Sequence, residues 1–501
     1  MARYTIGYDL GSSSVKAALF DLDSGKGVAV AQAPETEMPI AAPRPGWAEQ
    51  DPERWWRETL AATAKLRTAH AFRPEEVVGV GVAYQMHGLV CLDDAGEVLR
   101  PAIIWCDSRA VATGREGSER LGETWCREHL LNQPGNFTAS KLAWVRAHEP
   151  EIFARVARIL LPGEWLAFRM TGRAVTTPSG LSEGMFWDFQ EEQPAEKVLN
   201  WAGIDAGKTG EVEPTFGEHG AISAEAAREL GLKEGTPLGY RAGDQPNNAW
   251  SLGVLDPGEV ASTCGTSGVV YAVGGEPPAD PAERWNVFAH VNHAAAAPRY
   301  GALLCLNGAG ITYSWVRRLL GGAGESPSYK ALDALAEAAP AGADGLTMLP
   351  FGNGAERMLG NKNPGASLEG IDFLRHGPGE LARAAIEGVA FALAHGLLEM
   401  RAAGIPIRSL RAGRANLFLS PVFRRTLAEA AEVRIALVET DGALGAARGA
   451  AFGLGHCTSL AEALGGLATI QEDLPGSEDA AAVETAFARW REALRRTTPQ
   501  P

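Results

Sequence analysis

Asp9 stands in "DLGSSSVK", where an apolar stretch breaks into a Gly/Ser turn and resumes at Lys16. Tight turns of this kind leave backbone N–H groups and hydroxyls pointing outward, an arrangement suited to phosphate oxygens. The Asp9 carboxylate can hold a hydrated Mg²⁺, with Gly11, Ser12, Ser13 and Lys16 around it as donors. A second turn, "CGTSG", offers Gly265, Thr266 and Ser267 without an acid. Another carboxylate, Asp244, lies in "GYRAGDQPNNAWSLG", a stretch so rich in Gly, Pro and Asn that it reads as a loop. An ionised Asp there is either a solvated loop residue or a group able to accept a proton from an attacking hydroxyl. In "QMHGL", Gln85 and His87 fall at the end of a buried strand, where the side chains of an α/β sheet face its ligands. "WCDSR" and "PGNFTASK" add the polar and aromatic groups that a polyhydroxylated molecule needs, although Asp107 and Arg109 also read as a surface ion pair.

These groups need a scaffold, and the sequence outlines one. "YTIGYDL", "VKAALFD" and "GVAVAQA" predict a β-meander over the first 35 residues. "DPERWWRETLAATAKL" predicts a helix with Asp51 as N-cap and Pro52 at its first position. "VVGVGVAY" has the length and β-branched content of a buried strand. "YDLGSSSVKAALF" and "STCGTSGVVYAVG" align without a gap around Gly11 and Gly265, which predicts two similar lobes, each opening with strand, turn and strand. Helices are expected over "LARAAIEGVAFALAHGLLEM" and "EDAAAVETAFARWREALRR", and a frayed end at "PQP".

Composition narrows the class. A chain of 501 residues with 46% hydrophobic content is too long for one ordinary core. Its formal charge of −15 is spread along the sequence and argues against a nucleic-acid or anionic-membrane surface. Neither a long apolar N-terminal core nor an uninterrupted membrane-length apolar run is evident, so the expected compartment is the cytoplasm. Cys91, Cys106, Cys126, Cys264, Cys305 and Cys457 show no CxxC pairing and are expected to be small buried thiols. No GxxxxGK[ST] is present, and no GxGxxG links a strand to a helix.

Taken in order, "GYDLGSSSVKAALFD", "GWAEQDPERWW", "AYQMHG", "RPAIIWCDSR", "NFTASKLAWV", "LLPGEWLAFRMTG", "AGDQPNNA", "GTSGVV", "LPFGNGAER" and "ARAAIEGVAFAL" resemble the FGGY family of carbohydrate kinases, most closely its xylulokinase branch. The resemblance covers nearly the whole chain. It implies an α/β protein of two actin-like, ribonuclease-H-type ATPase lobes with a central cleft. The sugar lobe would span 1–247 and end at the base, and the ATP lobe would span 248–501. It implies transfer of the ATP γ-phosphate to a ketopentose, D-xylulose giving D-xylulose 5-phosphate, with ATP and Mg²⁺ required and no nucleic-acid or membrane partner; a homodimer is left open. Asp244 matches the family's catalytic base, and Asp9 its metal-associated acid. Gln85, Met86, His87, Asp244 and Gln245 match the sugar site. Gly11, Ser12, Ser13, Lys16, Gly265, Thr266, Ser267, Gly310 and Asn416 match the nucleotide site. Met86-His87 replaces the Arg-Glu of glycerol-kinase-like members, which favours a ketopentose. The chain departs from the family pattern at "RAGDQPNNAWS" around the base, at "ANLFLS" near the adenosine site and at "SGLSEG" in place of "SDAAGT". The rival expectations are the same fold acting on another ketose or polyol (ribulose, L-xylulose or an alditol), and an actin- or chaperone-like ATPase that turns over ATP without sugar.

Overall fold

The computed structural model describes residues 2–498 except Ala279, Pro281 and Ala323, so the expected fraying at "PQP" lies outside the described residues. The chain forms two compact units: 1–253 with 288–299 and 440–467, and 254–287 with 300–439 and 468–501.

The first unit is built on β1 (Tyr4–Leu10), β2 (Val15–Asp21), β3 (Lys26–Ala33), β4 (Val77–Tyr84) and β5 (Leu238–Gly243). Their order is β5-β4-β1-β2-β3. The meander pairs antiparallel, whereas β1, β4 and β5 run parallel. The helix Pro52–Ala69 begins as expected, with the Asp51 side chain accepting from the Glu53 N–H, and it packs on β2 and β3. The helix Gly442–Gly453 packs on β1, β2, β4 and β5. Sheets covered on both faces need apolar side chains on both, which is why β1 and β4 read as near-continuous hydrophobic runs.

The helix Gly442–Gly453 also explains why the units do not divide at a single cut near 247. A Cβ at Gly7 or Gly81 would overlap the carbonyl oxygens of Ala443 and Ala446, so only a glycine-bearing sheet admits the Gly/Ala face of "GALGAARGAAFG" so closely. That fit returns 440–467 to the first unit.

The sheet of the second unit runs through β6 (Gly258–Cys264), β7 (Gly268–Gly274), β8 (Asn286–Ala289, of which 286–287 fall in this unit), β9 (Tyr300–Leu306), β10 (Ile407–Gly413), β11 (Arg434–Val438) and β12 (Thr469–Asp473), ordered β8-β9-β7-β6-β10-β11-β12. Without the two edge strands, the order β11-β10-β6-β7-β9 repeats that of the first unit, with the same parallel and antiparallel pairings. The short sequence match around Gly11 and Gly265 is thus the trace of a duplicated fold. The helix Pro378–Ala402 is long and apolar enough to cross a membrane, although Arg383, Glu387 and Glu399 interrupt its apolar run, and it is mostly buried. It is a core helix here, with Phe391 stacked on Phe487 of the C-terminal helix Ala480–Thr497 at 5.2 Å.

Three local expectations are corrected. The Asp244 stretch is no loop: β5 runs to Gly243, and a helix, Asp244–Ser251, starts at once with Gly243 as its N-cap. Pro246 falls in the first helical turn, where its missing N–H has no partner to lose. Asp107 and Arg109 do pair, at 2.7 Å, but with side chains 0% and 1% exposed; Arg109 also lies 3.7 Å over the Trp47 ring. Of the cysteines, Cys91, Cys126 and Cys264 are buried, Cys305 and Cys457 are half-buried, and Cys106 is exposed.

Candidate active site

In the first unit the chemistry collects at the carboxyl ends of the three adjacent parallel strands, the usual ligand face of such a sheet. Asp9 is the penultimate residue of β1, Gln85 follows β4 and Asp244 follows β5. Together with Gly11, Ser12, Ser13, Ser14, Lys16 and Trp105 they line a cavity of about 260 Å³. The turn is held from several sides. Gly11 N–H donates to the Ser14 carbonyl at 3.0 Å, Met38 N–H to Ser13 O at 2.7 Å, and Gln50 Nε2 to Ser12 O at 2.7 Å. Gln50 Oε1 in turn accepts from Gln85 Nε2 at 3.2 Å and from Trp55 Nε1 at 3.1 Å, which ties the turn to the end of β4. The Asp244 helix is fixed by Asn247 Nδ2 to Gly442 O at 2.9 Å and by Trp250 Nε1 to Gly445 O at 2.8 Å.

Burial pushes the Asp244 carboxyl up to about 7, and the charge of Asp9 pushes the same way against hydrogen bonds from Gln245. Burial also raises Asp9 to about 6; Lys16 opposes this and Asp441 adds to it. Both side chains face the cavity, so entering water or ligand moderates the effect. The consequence for stability has a definite sign. A carboxyl with a raised folded-state pKa favours the fold below its ordinary value of 3.8 and loses that contribution as pH climbs to about 7. Asp244→Asn is therefore expected to raise Tm at pH 8, with the gain shrinking toward zero below about pH 4. Thermal unfolding across that range checks it; a loss of Tm at pH 8 refutes it.

The second unit carries its own pocket, of about 860 Å³, lined among others by Cys264, Gly265, Thr266, Gly310, Asn416 and Ser420. The Gly310 N–H donates to Gly265 O at 2.9 Å and the Ile311 N–H to Thr266 O at 3.2 Å, so the turn after β6 is stitched to the start of the helix Gly310–Gly321. Asn416 has φ of 54°, in the left-handed region that Asn tolerates better than most residues. Tyr313 donates to Asp333 Oδ1 at 2.8 Å and stacks on Tyr329 at 6.2 Å, forming an aromatic and acidic wall.

Of the residues singled out in the sequence, Asp9, Gly11, Ser12, Ser13, Lys16, Gln85 and Asp244 meet at the first cavity, and Gly265, Thr266, Gly310 and Asn416 at the second. Ser267 is not among the lining residues of the second, nor are Met86, His87 and Gln245 among those of the first. Met86 lies against Gly243. His87, in a left-handed turn with φ of 61°, donates Nδ1–H to Glu183 O at 3.0 Å and packs edge-on to Phe137 at 4.7 Å. Four contributors were missed. Asp441, N-cap of the helix Gly442–Gly453, acts on Asp9 and was legible as an Asp ahead of a Gly/Ala-rich run. Glu183, 1% exposed in the departing "SGLSEG" segment, lies against Gly243. Burial drives its pKa well up, and the Asp244 charge pushes the same way. Tyr313 and Asp333 gave no signal, because only the fold brings them together.

The family models now bear directly on this geometry. The N-terminal domain of the FGGY family of carbohydrate kinases matches residues 4–250, and the C-terminal domain matches residues 260–454. The chain belongs to the FGGY family of carbohydrate kinases: it is a sugar kinase with ATP as phosphoryl donor. Among its relatives, the xylulose kinase of Escherichia coli K12 is 32% identical over 99% of both chains. That of Bacillus subtilis is 30% identical over 92% of this chain and 90% of its own. The solved structure of xylulose kinase from Rhodospirillum rubrum, 28% identical, covers 99% of both chains with a TM-score of 0.88.

Proposed function

We propose that this kinase transfers the γ-phosphoryl group of ATP to D-xylulose, forming D-xylulose 5-phosphate and ADP. Phosphoryl transfer asks a protein for positioning, charge neutralisation and a base rather than for covalent chemistry. Asp244 is the base. The observation that carries this assignment is its place in one cavity with Asp9, on the ligand face of the sheet, with its carboxyl held near neutrality. A base poised there is ionised often enough to act and basic enough to take a hydroxyl proton. Gly11, Ser12, Ser13 and Lys16 supply N–H, hydroxyl and ammonium donors to phosphate oxygens from the first turn. Gly265, Thr266, Gly310 and Asn416 do so from the second, and Tyr313 and Tyr329 give the same pocket an aromatic wall.

Mg²⁺ fits this donor set. No cluster of three metal-ligating side chains occurs among the described residues, and Mg²⁺ in nucleotide sites uses one or two carboxylates, retained waters and phosphates. Asp9 is the carboxylate that would hold it, and bound there Mg²⁺ would neutralise charge on the phosphates. Gln85 is the cavity residue of the sugar side; Met86, His87 and Gln245 are assigned to that side from the family resemblance alone.

The choice of D-xylulose rests on the relatives' names and on Met86-His87, and a sugar panel tests it. In a coupled assay of ADP release, D-xylulose is expected to give kcat/KM about tenfold or more above ribulose, L-xylulose, glycerol and alditols, the scale that one buried hydrogen bond to the matching hydroxyl provides. A better substrate among the others replaces the sugar assignment. ATP turnover that no sugar accelerates overturns the kinase reading of the site.

A further inference from the structure

The second unit has another cavity of about 860 Å³ that shares no lining residue with the Gly265–Ser420 pocket. Its walls carry Arg284, Lys362, Arg491 and Arg495 against a single carboxylate, Glu399. The nucleotide pocket of similar size sets Arg318 and Lys330 against Asp333. In a chain with 46 basic and 61 acidic residues, a cavity with three more cations than carboxylates is a local inversion of charge.

The partners of these cations sharpen the point. Arg284 is tied to Asp280 at 3.0 Å and to Glu399, which neutralises the one acid in the wall. Arg495 pairs with Glu492 at 2.6 Å. Lys362 and Arg491 make no ion pair among the described residues; Arg491 lies 5.0 Å over the Phe487 ring. Compensation of the dipole at the end of the helix Ala480–Thr497 accounts for Arg495, but not for Lys362 or Arg284, which arrive from other segments. Leu359, Leu398 and Leu494 add apolar surface between the charges. A bare inorganic ion would leave that surface unused.

We propose that this cavity binds a small phosphorylated organic anion, its phosphate held by Lys362 and Arg491 and its carbon body resting on the leucines. Guanidinium and ammonium groups without carboxylate partners are the natural ligands of phosphate, and a cavity of this volume holds a molecule of metabolite size.

Inorganic pyrophosphate is the probe for the charged half of the site. It is titrated calorimetrically into the full-length protein already saturated with ADP, which occupies the nucleotide pocket and removes it from the measurement. Expected is an added binding event that weakens as salt is raised and weakens about tenfold or more in the double variant Lys362→Gln/Arg491→Gln, which lacks both charge-assisted contacts. Both residues are exposed and outside ion pairs, so the variant should keep the wild-type Tm and the wild-type affinity for ADP. Pyrophosphate that gives no added binding event, or that binds the variant as well as the wild type, overturns the proposal. The separate ADP titration reports on the kinase site, so failure of the one reading is distinguishable from failure of the other.

Discussion

Asp244→Asn is expected to lower kcat roughly 10²- to 10⁴-fold while sugar affinity measured by calorimetry stays near that of the wild type. The substitution keeps the size of the side chain and most of its hydrogen bonding, and removes the negative charge together with the capacity to accept a proton. Its surroundings should not collapse, because the helix it begins is anchored elsewhere, through Asn247 and Trp250 to the backbone of Gly442 and Gly445. In the wild type, kcat/KM should fall as pH drops below about 7, since protonated Asp244 cannot serve as base. The residual rate of Asp244→Asn should lack that acid limb. Near-normal turnover in the variant would mean that Asp244 is not the base.

Replacing Asp9 by Asn should cost roughly 10²-fold in kcat, the scale seen when one preorganised charge-stabilising group is removed. It carries a second signature that a merely structural loss would not produce. The negative charge of Asp9 is one of the two causes that raise Asp244, so its removal should move the acid limb of the remaining activity to lower pH. A slower enzyme with an unmoved limb would mean that Asp9 does not act on the base. Lys16, paired in register with Asp9 across β1 and β2, keeps one cation at the turn in the variant, so binding of nucleotide should weaken less than turnover.

Much of the scaffold was legible because it is written in local patterns. The strand-turn-strand openings, the Asp51-Pro52 helix start and the buried strand over 77–84 each depend on a few neighbouring residues, and each formed where expected. The two Gly/Ser/Thr turns were recognisable for the same reason, since a turn that exposes N–H groups needs those residue types wherever it occurs. Asp244 was found as a residue but misjudged in its setting. Gly, Pro and Asn suggest a loop when counted, yet Gly at an N-cap and Pro in a first turn are also how a helix begins directly after a strand.

What the sequence by itself determined, then, is the set of chemical groups and the short elements that carry them: two carboxylates, two phosphate-suited turns and an internally repeated β-opening. Only the tertiary structure decided which of these meet. The parallel pairing of β1, β4 and β5 brings residues 9, 85 and 244 to one edge of one sheet, a juxtaposition across more than two hundred residues that no local pattern encodes. The return of Gly442–Gly453 sets Asp441 near Asp9, and the packing of distant segments assembles Tyr313 with Asp333 and gathers the cations of the second large cavity. The physical reason is common to all of them. Side-chain type and turn propensity act over a few residues, whereas pKa values, cavities and clusters of charge depend on what long-range packing removes from water and places side by side.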